Sequence, residues 1–146
     1  MNELLARLTG QPVQDETQTN QTLDASPVTF PLDRTFYADF SHDNQMVAIY
    51  SAIGLFRPAE PPVTDRLDLT RTFRISKMTP FSGRMITEKL RCGDDEEYIR
   101  ILVNDAVQPL EFCGANEGGM CTLSAFVESQ AYARSNGDGD WEKCFS

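Results

Sequence analysis

Ser41-His42-Asp43-Asn44 places an imidazole, a carboxylate and an amide at three consecutive positions. An imidazole can donate a hydrogen bond to an anion, and a carboxyl group can pass a proton to a leaving oxygen as a general acid. If the segment opens a helix, the free N–H groups and the positive dipole end of that helix favour the same anion. Asp43 is then a candidate proton donor, with His42 and Asn44 as candidate substrate contacts. A helix start favours ionised carboxylate, so donation from this position requires a bound phosphate dianion or burial to oppose that effect. The plain alternative is that Asp43 and Asn44 are ordinary helix-start residues and that His42, the single histidine of the chain, is structural.

The neighbouring sequence supplies elements to hold such a turn. Thr35 to Phe40 alternates, with Phe36, Ala38 and Phe40 on one side, and predicts a strand. Met46, Val47, Ile49, Tyr50 and Ile53 recur at helical spacing and end at Gly54, a C-cap candidate. The order is strand, polar turn, helix, and in α/β sheets ligands bind at such strand ends. Upstream, Asn2 to Leu8 reads as a helix stopped by Gly10 and Pro12, and residues 11–31 read as a loop. Asn20-Gln21-Thr22 in that loop is a glycosylation sequon, a pattern common by chance. Downstream, Arg57 to Thr64, with Pro58, Pro61 and Pro62, reads as a loop. Thr72 to Met78, Arg84 to Leu90 and Tyr98 to Val103 read as strands, and Asn104-Asp105 turns the last into a hairpin through Val107 to Leu110. Thr122 is placed to cap a final helix with Leu123, Phe126, Val127 and Gln130/Ala131 on its inner side. The pattern is mixed α and β without clean βαβ repetition. Arg84 and Glu88 share a strand face and could form a catalytic pair, but at that spacing they read first as a structural ion pair. Phe112 and Trp141 read as packing residues, and Trp141 and Phe145 as anchors of the tail.

The 146 residues are 40% hydrophobic and 24% charged, enough for one core. A net charge of -9 argues against nucleic acid or an anionic membrane as the main partner. No apolar run is long enough to span a membrane. The acidic runs Asp94 to Glu97 and Asp138 to Glu142 read as solvated surface. Cys92, Cys113, Cys121 and Cys144 lack C-x-x-C spacing, and with one histidine a metal site would need a mostly Cys set that these spacings do not suggest, so disulfides are expected and no metal. Residues Met1 to Leu8 are too polar for a signal peptide. Cysteines of secreted type without a secretion signal lead to the expectation that the fold begins upstream of Met1.

Ala38-Asp39-Phe40-Ser41-His42-Asp43-Asn44-Gln45-Met46 resembles the His-Asp motif of histidine acid phosphatases, in the form found in fungal phytases. The resemblance continues through Val47 to Leu55, Pro80-Phe81, Arg84, Glu88 and Cys92, then Leu102 to Leu110. It ends with Cys113, Cys121, Phe126-Val127, Ala133-Arg134 and Cys144-Phe145, and so covers nearly the whole chain. It implies an α/β fold: the C-terminal portion of the phosphoglycerate-mutase-like histidine acid phosphatase fold, with a mixed sheet and flanking helices. Residues 1–146 would be one partial domain. The implied reaction is hydrolysis of phosphomonoesters such as inositol phosphates, without cofactor, in a secreted glycoprotein. Asp43 would be the proton donor, His42 a phosphate ligand and Asn44 a further substrate contact. Cys113 and Cys121 resemble a local disulfide pair of the family, whereas Cys92 and Cys144 resemble cysteines with upstream partners; their pairing with each other, or persistence as thiols, stays open.

The family's nucleophile is a histidine in an Arg-His-Gly-x-Arg-x-Pro motif, and no Arg-His-Gly stands in this chain. Covalent catalysis needs that activated nucleophile. The expectation is therefore a chain inactive alone, with the missing N-terminal part of the same fold as its partner. The rival reading is a noncatalytic truncated product or interaction domain, whose exposed strand edges and apolar face would favour partner binding.

Overall fold

The computed structural model describes residues 1–17, 19–61, 63–93 and 95–145, so Asp94 of the first acidic run and Pro62 of the proline-rich loop lie outside the described residues. Among the described residues six α-helices occur in chain order: α1 (Asn2–Thr9), α2 (Gln21–Asp24), α3 (Asp43–Ile53), α4 (Ile75–Met78), α5 (Leu123–Ser129) and α6 (Ala131–Arg134). Four strands, β1 (Met85–Arg91), β2 (Glu97–Val103), β3 (Ala106–Gln108) and β4 (Cys121–Thr122), form one sheet. β2 pairs antiparallel with β1, β3 and β4.

β2 organises the core because its side chains alternate. Ile99, Ile101 and Val103 are buried on one face. They join Leu5 and Leu8 of α1, Tyr50 and Ile53 of α3, Met78 of α4, and Leu110, Cys121 and Phe126 in one apolar cluster. On β2's other face Arg100 sits directly opposite Glu88, donating to its carboxylate at 2.6 Å. Arg84 pairs instead with Asp105. The Arg84 and Glu88 of the sequence reading thus have separate structural partners.

The hairpin forms where the sequence places it. Asn104 and Asp105 both take positive φ, 50° and 67°, as a two-residue turn matched to strand twist requires. The Asn104 side chain also donates to the carbonyls of Lys77 and Met78 at 2.9 and 3.1 Å, tying the hairpin to α4. α5 is capped as expected: Thr122 Oγ1 accepts from the Ala125 N–H at 3.2 Å. Buried Gln130, just beyond α5, donates to the Ile53 carbonyl at 3.1 Å and joins this end to α3. Cys113 and Cys121 form a disulfide with Cα atoms 5.9 Å apart, while Cys92 and Cys144 are free and exposed.

Four readings of local structure are corrected. Thr35 to Phe40 forms no strand. An extended segment becomes a strand only beside a partner ladder, and none lies alongside it among the described residues. Its supposed inner residues Phe36 and Phe40 are 80% and 99% exposed, while Tyr37 from the other side is half-buried. Thr72 to Met78 is likewise not a strand; its end winds into the single turn α4, which buries Met78 and stops before Pro80. The described residues of 11–31 are irregular except for α2, where Asn20 Oδ1 accepts from the Leu23 N–H at 3.3 Å. At the tail, Trp141 and Phe145 stack edge-to-face on each other at 5.3 Å but remain exposed, so they do not anchor to the core.

Two predictions follow from this arrangement. Without reductant, thiol titration of the folded chain is expected to find two reactive groups, Cys92 and Cys144, with two more only after reduction; two native disulfides would contradict the arrangement. The second concerns pH. Lys89, with Arg91 beside it, holds the Glu97 carboxyl below its usual range. Such a depressed carboxylate stabilises the fold above the ordinary glutamate range, and that contribution disappears as pH falls through the depressed value. Thermal melts of Glu97→Gln should therefore lie slightly below wild type at neutral pH and converge with it in acid. A gap undiminished in acid would show that charge is not the cause.

Candidate active site

The His42-Asp43-Asn44 turn is built by the chain entering α3. His42 is the N-cap residue, with extended backbone (φ -118°, ψ 161°), and its carbonyl accepts the first helical bond from the Met46 N–H at 2.9 Å. Asp43 and Asn44 occupy the first helical positions. The imidazole does not cap the helix, which leaves it available to a ligand. Asp43 Oδ1 accepts from the Asn44 N–H at 2.7 Å, and Asn44 Oδ1 from the Gln45 N–H at 2.8 Å. Ser41 Oγ donates to Gln45 Oε1 at 2.8 Å and closes the turn over the helix start.

Residues 41 to 45 are all exposed, whereas Tyr50 and Ile53 at the other end of α3 are fully buried. The helix thus projects its N-terminus, with the positive end of its dipole, into solvent. The C-terminus is fixed by Gly54, whose φ of 101° lets the N–H groups of Gly54 and Leu55 return to the Tyr50 carbonyl at 3.1 and 2.9 Å. A Cβ on Gly54 would also press to 3.3 Å from the Phe112 ring. A larger residue here would be strained by that φ and would have to push the Phe112 ring aside.

The structure therefore brings the three sequence-identified residues together on one helix start. The chemistry available there is hydrogen bonding to an anion and proton transfer from a carboxyl group. The Cys113–Cys121 disulfide lies on the far side of β2 in sequence and takes no part in the turn. Nor do two clefts found elsewhere contain any of the three residues. One, of about 680 Å³, includes Thr9, Arg91, Leu123 and Arg134, and one of about 480 Å³ includes Leu69, Arg71 and Lys77. Among the described residues, no group of three His, Cys, Asp or Glu side chains could hold a metal ion, and no helix is long and apolar enough to cross a membrane.

Sequence reading missed the contact that leads into the turn. Asp39, placed on an expected strand, is paired instead with Arg7 of α1. The two residues are 32 positions apart, and no local pattern signals such a pair.

Residues 1–104 match the family model of the histidine phosphatase superfamily (branch 2). The chain belongs to that family. It is 46% identical over 148 residues to phytase A of Emericella nidulans and 44% identical over 149 residues to phytase A of Aspergillus oryzae, in each case covering 99% of this chain and 32% of the relative. The chain thus spans about a third of the length of these curated relatives. The crystal structure of the phytase from D. castellii superimposes with a TM-score of 0.61 at 33% identity, covering 69% of this chain and 22% of that one.

Because Asp43 is exposed, its replacement should leave the fold standing. Asp43→Asn removes a charge favourable to the helix dipole and is expected to cost at most about 1 kcal/mol. Urea denaturation of the variant checks this; a loss of several kcal/mol would mean that Asp43 is primarily structural.

Proposed function

We propose that this chain supplies the proton-donating half of a phytase-like phosphomonoester hydrolase. In this reading the phosphate group of the substrate meets the N-terminus of α3 and the His42 imidazole. Asp43 protonates the leaving alcohol oxygen, and Asn44 contacts the substrate. The observation that carries it is the exposed His42-Asp43-Asn44 turn on a core-anchored helix, within a stretch matched to the histidine phosphatase family. Inositol phosphates are the proposed substrate class, supported by relatives named phytase A.

His42 is the single histidine here, so one imidazole cannot serve as both nucleophile and phosphate ligand. The nucleophile is proposed to come from the upstream two-thirds of the fold, which is also the proposed partner. Secretion and a glycan on exposed Asn20 go with this reading.

A noncatalytic or interaction role is the second reading. It draws support from Phe36, Phe40 and Phe81, which are almost wholly exposed. Such residues fit a surface that another polypeptide covers.

The deciding experiment assays the chain alone, and the chain co-expressed with the upstream part of a phytase A relative, on inositol hexakisphosphate at acidic pH. Background rates alone and turnover on co-expression are expected, with Asp43→Asn lowering that turnover by roughly 10²–10⁴-fold. Turnover by the chain alone that Asp43→Asn abolishes would overturn the need for an upstream nucleophile. Turnover on co-expression indifferent to Asp43→Asn would overturn the proton-donor role.

A further inference from the structure

Arg7 lies on α1 between Ala6 and Leu8, both buried in the core, so its backbone is rigidly placed. Its guanidinium lies over two rings, 4.9 Å from the centroid of Phe30 and 5.0 Å from that of Tyr37. Nη1 and Nη2 donate to the two carboxylate oxygens of Asp39 at 2.5 and 3.3 Å. The Arg7 side chain is only 20% exposed, and its Nε is buried without a protein partner. A surface arginine would keep that N–H hydrated. Here the hydration is given up for a planar, forked contact that lysine cannot reproduce.

What Arg7 grips is the segment that leads into the candidate site. Residues 35–40 have no strand ladder to hold them. Tyr37 and Asp39 are fixed to α1 through Arg7, and the Tyr37 hydroxyl in turn accepts from the Arg34 N–H at 3.2 Å. His42 lies three positions beyond Asp39, a reach of at most about 11 Å. The turn is therefore bounded on one side by the Arg7–Asp39 clamp and on the other by α3, anchored through Tyr50 and Ile53.

We propose that Arg7 is a positioning residue for the His42–Asp43 turn. By clamping Tyr37 and Asp39 to the core helix, it sets where the imidazole and carboxyl stand relative to the start of α3. The inference rests on reading that turn as an anion-binding, proton-donating site.

The test uses the 146-residue chain, in which His42 gives the single imidazole signal in NMR spectra. Arg7→Met, Arg7→Lys, Asp39→Asn and Asp39→Glu are compared with wild type for amide exchange at residues 40–46, and for inorganic phosphate binding followed at His42. Arg7→Met and Asp39→Asn are expected to speed exchange in the turn about fivefold and to weaken phosphate binding by a similar factor, with β2 amides unmoved. Arg7→Lys should fall between, and Asp39→Glu, which keeps the carboxylate, should stay near wild type. Asp39 is 71% exposed, so its variants keep the test decisive even if Arg7→Met fails to fold. Unchanged turn amides in folded Asp39→Asn would overturn the clamp. A wild-type His42 signal indifferent to phosphate, alongside faster turn exchange in the variants, would leave the clamp standing and overturn the anion-site reading instead.

Discussion

Burial of Tyr50 is the constraint through which the core reaches the candidate site. Its ring is fully enclosed, meets Phe56 edge-to-face at 5.6 Å, and its hydroxyl donates to the Met78 carbonyl at 3.4 Å. The same burial pushes the Tyr50 phenol up from its ordinary range, because ionisation there would leave a charge without water. Burying Tyr50 and Ile53 contributes on the order of 1.5–3 kcal/mol each. That free energy is concentrated at the C-terminal end of α3. The helix behaves as a post set in the core, with the charged and polar turn at its free end.

An acidic chain can hold an anion only if the local donors outweigh the general repulsion. Arg7, Arg84, Lys89, Arg91, Arg100 and Lys143 are each paired with a carboxylate and have little positive charge to spare. From this chain the turn offers an imidazole and the α3 dipole. Those are suited to orienting a phosphate, but they are modest against a dianion in water. The proposed division of labour follows from this: orientation and proton donation here, cationic groups and the nucleophile from the upstream part.

What was legible in the sequence was whatever the chain completes within itself. α3, its Gly54 cap, the β1–β2–β3 meander with its Asn104-Asp105 turn, and Thr122-capped α5 all emerge from periodicity and turn chemistry, because their hydrogen-bond partners lie nearby. The His42-Asp43-Asn44 turn was legible for the same reason, as a helix start marked by its residue types. Thr35 to Phe40 and Thr72 to Met78 misled because alternation records a face to be buried, not the ladder that would bury it. The Arg7–Asp39 contact was illegible altogether, since it joins a helix to an irregular segment across a loop with no periodic signal.

The catalytic and noncatalytic readings share one folded scaffold and diverge only in chemistry. The apolar cluster draws on β2, its antiparallel neighbours and the helices α1, α3, α4 and α5. The meander occupies residues 85–108 and β4 runs directly into α5, while α1 and α3 reach the same cluster from far upstream in the chain. The exposed Phe36, Phe40 and Phe81 lie outside that cluster, so leaving them uncovered withdraws little from it. A chain that keeps α3 anchored thus keeps the His-Asp turn whether or not a nucleophile is opposite it. Persistence of the fold is consequently no argument for activity, and absence of turnover by the chain alone is no argument against the roles of His42 and Asp43 in a complete site.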